Sequence, residues 1–400
     1  MGLSGLAVLG AVALTLLPTT SIAAEMRGVT STEIRIGQTM PYSGPVSAFG
    51  ALGKGETGYF RMVNERGGIN GRKVNLISLD DSYSPPKTVE QTRRLVESDE
   101  VALIFSSIGT AHNTAIAKYL QSKNIPQLFL ASGASKFADI AQYPQATVGV
   151  QAPFRYEARL YARYALAKNP NAKFAVISQN DDFGRDYLAG LKDVLGDKYD
   201  SIVTGATYEI SDPTIDSQIV KLKASGADVF VIAATPKFAA QSIRKAFEIG
   251  WRPMTFLSNV AVWISTVMEP AGVEAGTGIL STAYVKDPDD PAWADDAGVK
   301  GWREFMKKYV PDGDVHDTNY VNAYNSAMAL EAVLKACGDD LSTENILKQA
   351  YSIKDLELPM LLPGIKINTS ATDHVPVDQM QFMRFNGKTW DRFGELQKGD

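Results

Sequence analysis

Two similar strand–loop–helix–strand blocks constrain the fold of this sequence more than any other feature. The blocks span residues 101–133 and 228–259, and in each an apolar strand leads into a short loop that carries a threonine. A helical stretch and a second apolar strand follow, and each block closes with Ser132-Gly133 or Ser258-Asn259. Two such units predict two similar α/β lobes. Because ligands bind beyond the carboxyl ends of parallel strands, we expect these loops to face one shared cleft.

Chain length and charge narrow the class of protein further. Four hundred residues exceed the usual size of a single hydrophobic core, which also favours two lobes. The net charge of −5, without any basic cluster, argues against a nucleic-acid partner. Hydrophobic and charged residues make up 45% and 21% of the chain, which is typical of a globular protein.

The N-terminal segment has the pattern of a secretory signal peptide. An apolar run at 6–17 is followed by Pro18 and small residues, and Glu25 is the first charged side chain. We therefore predict a signal peptide over residues 1–24 and a periplasmic location. No Lys or Arg precedes the apolar run, and an uncleaved membrane anchor is the alternative. Pro18 and the small residues at the end of the run favour cleavage.

Strand-like and helix-like patterns alternate through most of the chain, which indicates parallel central sheets. Towards the C-terminus the pattern predicts hairpins. Strand-like segments are expected at 364–368 and 380–385, and Asn386-Gly387 predicts a tight turn. The only cysteine, Cys337, lies in an apolar helical pattern and is predicted to be buried.

Motifs for catalysis or metal binding are absent from the sequence. The three histidines, His112, His316 and His374, are far apart and match no metal-ligand spacing. The chain has no nucleophile elbow, P-loop or dinucleotide-binding fingerprint. We expect a protein that is not an enzyme and has no cofactor and no metal.

Several short motifs carry a family resemblance over most of the chain. They include residues 34–37, 43–45 and 67–71, Asp80-Asp81 and Phe183-Gly184. With these motifs the chain resembles the periplasmic substrate-binding proteins of branched-chain amino acid ABC importers, the Leu/Ile/Val-binding type.

The resemblance implies an α/β protein with the type I periplasmic-binding-protein fold: two Rossmann-like lobes with parallel central sheets, joined by three crossings. Residues 27–150 and 284–360 would form lobe 1, and residues 151–283 and 361–400 would form lobe 2. It also implies a monomer that closes over its ligand and docks on an ABC permease in the inner membrane.

The resemblance further implies a carboxylate site in lobe 1. Its residues would be Thr110 in one loop and Ala131, Ser132 and Gly133 in the next. Backbone N–H groups at a strand-to-helix loop, with a hydroxyl beside them, also form an anion site on physical grounds. Ordinary helix capping by Thr110 and Ser132 is the alternative.

The expected lobe 2 wall departs from the family pattern. The acid that binds the ligand ammonium corresponds to Val260, or to Asn259 if the alignment slips by one residue. Thr235 occupies an aromatic position of the family, whereas Phe49 and Phe183 keep aromatic character at two others. Either phenylalanine could instead belong to the core.

The missing acid decides which ligand we expect. Asp181 or Asp182 could replace it, although acids in such loops often cap helices. A buried ammonium without a counter-charge is costly, so a hydrophobic or aromatic carboxylate is favoured. A branched-chain amino acid is the alternative ligand, and a ligand-sensing module for a membrane receptor is the alternative function.

Overall fold

The computed structural model describes residues 26–399, so the predicted signal peptide at 1–24 lies outside the described residues. Over this range the chain forms two α/β lobes, each built around one central sheet. None of the helices in the described range combines the length and the apolarity that a membrane span requires.

Lobe 1 is built on a four-stranded parallel sheet with the order β2-β1-β3-β4. The strands are β1 (Glu33–Met40), β2 (Lys73–Asp80), β3 (Leu103–Phe105) and β4 (Gln127–Leu128). Successive side chains of a strand point to opposite faces. In β3 this places Leu103 and Phe105 in one apolar cluster and Ile104 in another, so both faces of the sheet are covered.

Helices from two parts of the chain cover these faces. The early helices are α1 (Gly50–Glu65), α2 (Pro85–Glu97) and α3 (Thr110–Ser122). After lobe 2 the chain adds three later helices, which we number α11 (Ala297–Tyr309), α12 (Asn319–Ala336) and α13 (Thr343–Ala350). Helix α12 packs against α1, and a buried hydrogen bond from the Tyr59 hydroxyl to Glu331 joins the two helices. Cys337, at the end of α12, is buried as predicted.

Lobe 2 contains a seven-stranded sheet with the order β11-β10-β9-β8-β7-β5-β6. The parallel strands are β5 (Phe174–Gln179), β6 (Val203–Tyr208), β7 (Val229–Ala233), β8 (Met254–Leu257) and β9 (Leu280–Ala283). The strands β10 (Gln379–Phe385) and β11 (Trp390–Lys398) are antiparallel. Residues 386–389 connect them, with a hydrogen bond from Asn386 N to Thr389 O at 3.0 Å, which confirms the predicted hairpin.

The helices of lobe 2 lie on both faces of its sheet. The longer ones are α4 (Phe154–Lys168), α5 (Asp182–Leu195), α7 (Asp216–Ala224) and α8 (Pro236–Glu248). Short helices are α6 (Tyr199–Ile202), α9 (Glu269–Ala271) and α10 (Val273–Gly276). Alternating residues of β7 divide between the two sides. Val229 and Val231 belong to the apolar cluster that contains α4 and α5 residues, and Phe230 and Ile232 to the cluster with α7 and α8 residues.

Three passages of chain connect the sheets: between β4 and α4, between β9 and α11, and between α13 and β10. The second and third run antiparallel beside each other, with hydrogen bonds from Lys286 N to Met360 O and from Leu362 N to Tyr284 O, both 2.9 Å. The lobe boundaries at residues 150, 284 and 360 stay predictions.

The strand predicted at 364–368 is wrong. This segment forms only an isolated bridge between Leu356 and Ile367 and lies in the third passage. Ile365 and Ile367 are both buried in the core, so the apolar alternation reflects burial and not pairing within a sheet.

Candidate functional site

A cavity of about 730 Å³, a volume that includes the open water at its mouth, lies between the lobes beyond the carboxyl ends of their strands. Every predicted site residue except Gly133 lines it, namely Phe49, Thr110, Ala131, Ser132, Phe183, Thr235, Asn259 and Val260. The sequence did not single out several polar lining residues, which are Tyr83, Gln151, Tyr284, Asn319, Asn322 and Ser326. Among the described residues, no Asp, Glu, Lys or Arg lines this cavity.

The lobe 1 wall consists of the α3 N-terminus and the loop after β4. Helix α3 begins at Thr110, and the preceding Gly109 provides no side-chain cap. The first amide N–H groups of a helix lack intrahelical acceptors, so this end favours an anion. The Thr110 and Ser132 hydroxyls are 2.8 Å apart and about 3% and 2% exposed. Their mutual hydrogen bond uses one hydroxyl proton, which leaves the other available to a ligand.

Gly109 is required by the geometry of this loop. Its φ of +99° lies in the region that L residues rarely adopt, and a Cβ there would lie 2.3 Å from His112 Nδ1. The glycine therefore allows the chain to turn sharply into α3 while His112 packs under the loop.

Gly133 does not reach the cavity surface. A Cβ at this position would lie 2.6 Å from the Ala152 carbonyl oxygen and 2.8 Å from Gln151 Nε2. The Gly133 carbonyl accepts a hydrogen bond from Phe154 N at 2.9 Å. Gly133 therefore lets the first passage pack closely behind the lobe 1 wall.

Gln151 adds a donor to this wall. Its Nε2 is buried and has no hydrogen-bond partner among residues 26–399. Because Gln151 follows no strand that the sequence predicts and matches no motif, nothing in the sequence pointed to it.

The lobe 2 wall is neutral. Thr235 N and Thr235 Oγ1 lie 2.9 and 3.2 Å from the Tyr208 hydroxyl. Asn259 and Val260 belong to a short 3-10 helix, Asn259–Ala261, that follows β8. The acid that the family pattern places here is replaced by an amide and an apolar side chain.

Neither Asp181 nor Asp182 replaces that acid at the cavity surface. Asp181 caps α5, since its Oδ1 accepts hydrogen bonds from Phe183 N at 3.0 Å and Gly184 N at 3.3 Å. Asp182 forms ion pairs with Lys136 and Arg185, each at 2.6 Å. Both carboxylates are occupied within the protein, and neither lines the cavity.

Aromatic rings close the cavity on both sides. Phe49 of lobe 1 meets Trp263 of lobe 2 with ring centroids 5.1 Å apart. Phe183 packs on Phe154 at 4.8 Å. Both predicted phenylalanines are also buried in apolar clusters, so they line the cavity and belong to the core at the same time.

A buried acid behind the lobe 2 wall was missed. Glu157 of α4 is fully buried, and burial raises its pKa above the ordinary value. Its carboxyl group accepts hydrogen bonds from the hydroxyls of Tyr161, Tyr187 and Thr282 and from Asn259 N at 3.2 Å. The sequence did contain one signal for Glu157, since it is a charged residue on the otherwise apolar face of α4. Since its acceptors are already used, Glu157 fixes the loop after β8 instead of facing the cavity.

A second chamber of about 550 Å³ adjoins the main cavity. Asn259, Trp263, Tyr284 and Asn322 form the shared boundary. No cluster of three or more metal-binding side chains occurs within the described part of the chain. Asp287 and His316 line the second chamber, whereas the main cavity is a neutral, largely apolar enclosure with one anion-binding corner.

Comparisons with known proteins agree with this geometry. A family described as periplasmic binding protein matches residues 33–389. Leu/Ile/Val-binding protein homolog 7 of Brucella abortus is 24% identical over 353 residues, which cover 84% of this chain and 86% of that protein. Homolog 3 of Brucella melitensis is 23% identical over 343 residues, covering 81% and 85%.

Solved structures show the same fold. A branched chain amino acid ABC transporter from Thermus thermophilus with bound valine superposes with a TM-score of 0.80 at 17% identity, covering 92% of this chain and 97% of that one. A fatty acid ABC transporter substrate-binding protein from Thermomonospora curvata gives 0.78 at 18% identity, covering 93% and 94%. The predicted type I fold is confirmed. The chain belongs to the periplasmic binding protein family.

Proposed function

We propose that this protein binds a small hydrophobic or aromatic carboxylate outside the cytoplasm and delivers it to an ABC permease. The observation that carries the proposal is the cavity itself, which combines an uncapped helix N-terminus with a lining free of charged side chains among the described residues. One wall suits a carboxylate, and the remaining walls suit a neutral apolar body.

The absence of a lining acid weighs against an α-amino acid. Burying an ammonium group without a counter-charge costs several kcal/mol. A leucine side chain gains only about 1.5–3 kcal/mol by burial. The buried Glu157 already accepts four hydrogen bonds within the protein, and Asp287 lines only the adjoining chamber. Carboxylates without the amino group are therefore the better ligands.

A branched-chain amino acid is the second candidate. The Brucella relatives are named as Leu/Ile/Val-binding protein homologues, and the structure from Thermus thermophilus holds valine. The fatty-acid binder from Thermomonospora curvata has the same fold, so the fold itself does not favour either ligand class.

A calorimetric titration with leucine, its deaminated analogue 4-methylpentanoate, benzoate and benzamide separates these candidates. We expect both acids to bind more tightly than leucine, because neither brings an ammonium group. Benzamide keeps the ring of benzoate without its charge and is expected to bind weakly. Micromolar leucine binding with no response to either acid would reject the proposal.

Ligand entry requires the lobes to separate. The rings of Phe49 and Trp263 touch across the cleft, and Lys136 of lobe 1 forms an ion pair with Asp182 of lobe 2. Three chain passages also connect the lobes. We expect hinged closure on the ligand, which would shrink the molecule in solution. Identical small-angle scattering with and without saturating benzoate, under conditions where benzoate binds, would contradict hinged closure.

A further inference from the structure

Asn259 presents a buried hydrogen-bond donor to the cavity. It lies directly after β8 on the lobe 2 wall and is about 9% exposed. Its Nδ2 is buried and has no hydrogen-bond partner anywhere in the described range. Asn259 lines both the main cavity and the adjoining chamber. Buried polar groups in folded proteins almost always have a partner, so this donor requires an explanation.

The backbone around Asn259 is fixed. Asn259 N donates to the Glu157 carboxyl group at 3.2 Å. The preceding Ser258 donates through its N–H to Ile232 O at 3.0 Å, and its hydroxyl lies 2.6 Å from the Tyr187 hydroxyl. Ala261 N also donates to Ser258 O at 3.0 Å. The backbone that carries the amide is thus held in place before any ligand arrives.

Neighbouring polar groups already have partners within the protein. The Thr235 hydroxyl lies 3.2 Å from the Tyr208 hydroxyl, and the Tyr284 hydroxyl donates to Asn322 Oδ1 at 3.2 Å. The other free donor, Gln151 Nε2, belongs to the opposite, lobe 1 wall of the cavity. On the lobe 2 side, the Asn259 amide is therefore the group best placed to recognise a ligand.

We propose that Asn259 donates a hydrogen bond to a second oxygen on the ligand, so that the ligand class is an acid with a keto, ether or ester oxygen facing lobe 2. This inference rests on the proposed carboxylate-binding function. A purely hydrocarbon acid would leave the amide buried and unpaired, whereas an oxygen acceptor would pair with it. Sites built around such a hydrogen bond discriminate strongly against analogues that lack it.

Two pairs of acids test the inference by calorimetry. The first pair is 4-methyl-2-oxopentanoate and 4-methylpentanoate, and the second is 4-methoxybenzoate and 4-ethylbenzoate. Each pair differs mainly in one oxygen acceptor, placed near the carboxylate or far from it. We expect the oxygen-bearing acid of at least one pair to bind about tenfold more tightly or better. Equal binding within both pairs would overturn the inference.

Variants assign the preference to Asn259. Asn259→Leu keeps a similar size without the donor and should abolish the preference. Ser281→Ala is the matched control, since the Ser281 hydroxyl donates to Leu257 O at 2.7 Å in the same region without lining the cavity, and the preference should survive there. Asn259→Asp replaces the donor with an acceptor and should favour leucine over its oxo acid. An Asn259→Asp or Asn259→Leu variant that keeps the wild-type preference would remove Asn259 from recognition.

The outcomes also separate this inference from the proposed function. If plain acids bind but the added oxygen has no effect, only the inference fails. If none of the acids binds, the carboxylate function is rejected, and the inference is rejected with it. Tighter binding of leucine than of the oxo acid by the wild-type protein would show that Asn259 offers its oxygen, which also contradicts the inference.

Discussion

Several helices begin beside the cavity, and two of them, α3 in lobe 1 and α5 in lobe 2, have N-termini that differ. Helix α3 in lobe 1 follows Gly109 and has no side-chain cap. Helix α5 in lobe 2 follows Asp181, whose carboxylate caps it with two hydrogen bonds. A free helix N-terminus attracts an anion, whereas a capped one has already satisfied that preference. The comparison teaches that corresponding helix ends in two similar lobes can differ, one open to an anion and one already capped by a carboxylate.

Each lobe also contains one described glutamate that is 0% exposed, and these two residues extend the comparison. Glu157 in lobe 2 accepts hydrogen bonds from four donors. Glu56 in lobe 1 accepts one hydrogen bond from Gln38, and its Oε1 has no partner within residues 26–399. Burial raises the pKa of Glu56 from 4.5 to about 8. Burial also raises the pKa of Glu157, so the number of donors distinguishes the two acids. Because Glu157 has more hydrogen bonds to lose, we expect the same substitution to have opposite effects at the two sites.

Glu56→Gln should stabilise the protein at neutral pH. Because the folded-state pKa lies above that of the unfolded chain, the stability that Glu56 confers is present below pH 4.5 and is lost as the pH rises towards 8. The neutral amide avoids this loss. We expect equal stability of variant and wild type near pH 4 and a gain of up to roughly 3 kcal/mol at pH 7. Urea unfolding at both pH values measures this difference in the free energy of unfolding. The same difference between variant and wild type at every pH would contradict the prediction.

Glu157→Gln should destabilise the protein instead. The amide keeps one acceptor oxygen and turns an NH₂ group towards hydroxyl donors, so hydrogen bonds worth about 1.5–3 kcal/mol each are lost. Because Asn259 N is one of the donors, ligand affinity should fall as well. Urea unfolding and calorimetry measure the two effects. Equal changes in the free energy of unfolding of Glu157→Gln and Glu56→Gln would show that the two buried acids are equivalent.

The sequence predicted the symmetric features of the molecule better than the asymmetric ones. The two βα blocks predicted both sheets, because apolar strands alternating with helices leave few other arrangements. They also placed Thr110, Ser132, Thr235 and Asn259 at one cleft, since the carboxyl ends of parallel strands share an edge.

What the sequence could not provide was the state of each group in three dimensions. Asp181 was a candidate counter-charge until the structure showed its carboxylate capping α5. Gln151 and Glu157 belong to the site or its support through long-range packing that no local pattern encodes. Gly133 was predicted at the surface of the cavity but packs behind it, because loop order does not specify which face a residue turns.

Thr110→Val tests the open N-terminus in lobe 1. The substitution removes a hydroxyl and keeps the shape, so the affinity for a bound acid should fall by about 1.5–3 kcal/mol. Thr114→Val, one turn further along α3, is the matched control because the Thr114 hydroxyl bonds Thr110 O at 2.8 Å and does not line the cavity. Benzoate titrations measure both variants. Equal affinities, with the fold intact, would remove Thr110 from the site.

Asp181→Ala tests the capped N-terminus in lobe 2 and has the smallest expected effect. Losing the cap should lower the free energy of unfolding by about 1 kcal/mol, since Phe183 N and Gly184 N would lose their acceptor. Ser342→Ala removes the cap of α13, far from the cavity, and provides a matched measure of that cost. Benzoate affinity should stay unchanged in both variants, because Asp181 does not line the cavity.

If Asp181→Ala instead bound benzoate about tenfold more tightly, its α5 N-terminus would be a second anion-binding corner once the cap is gone. The N-termini of α3 and α5 would then differ in anion binding because of the Asp181 carboxylate.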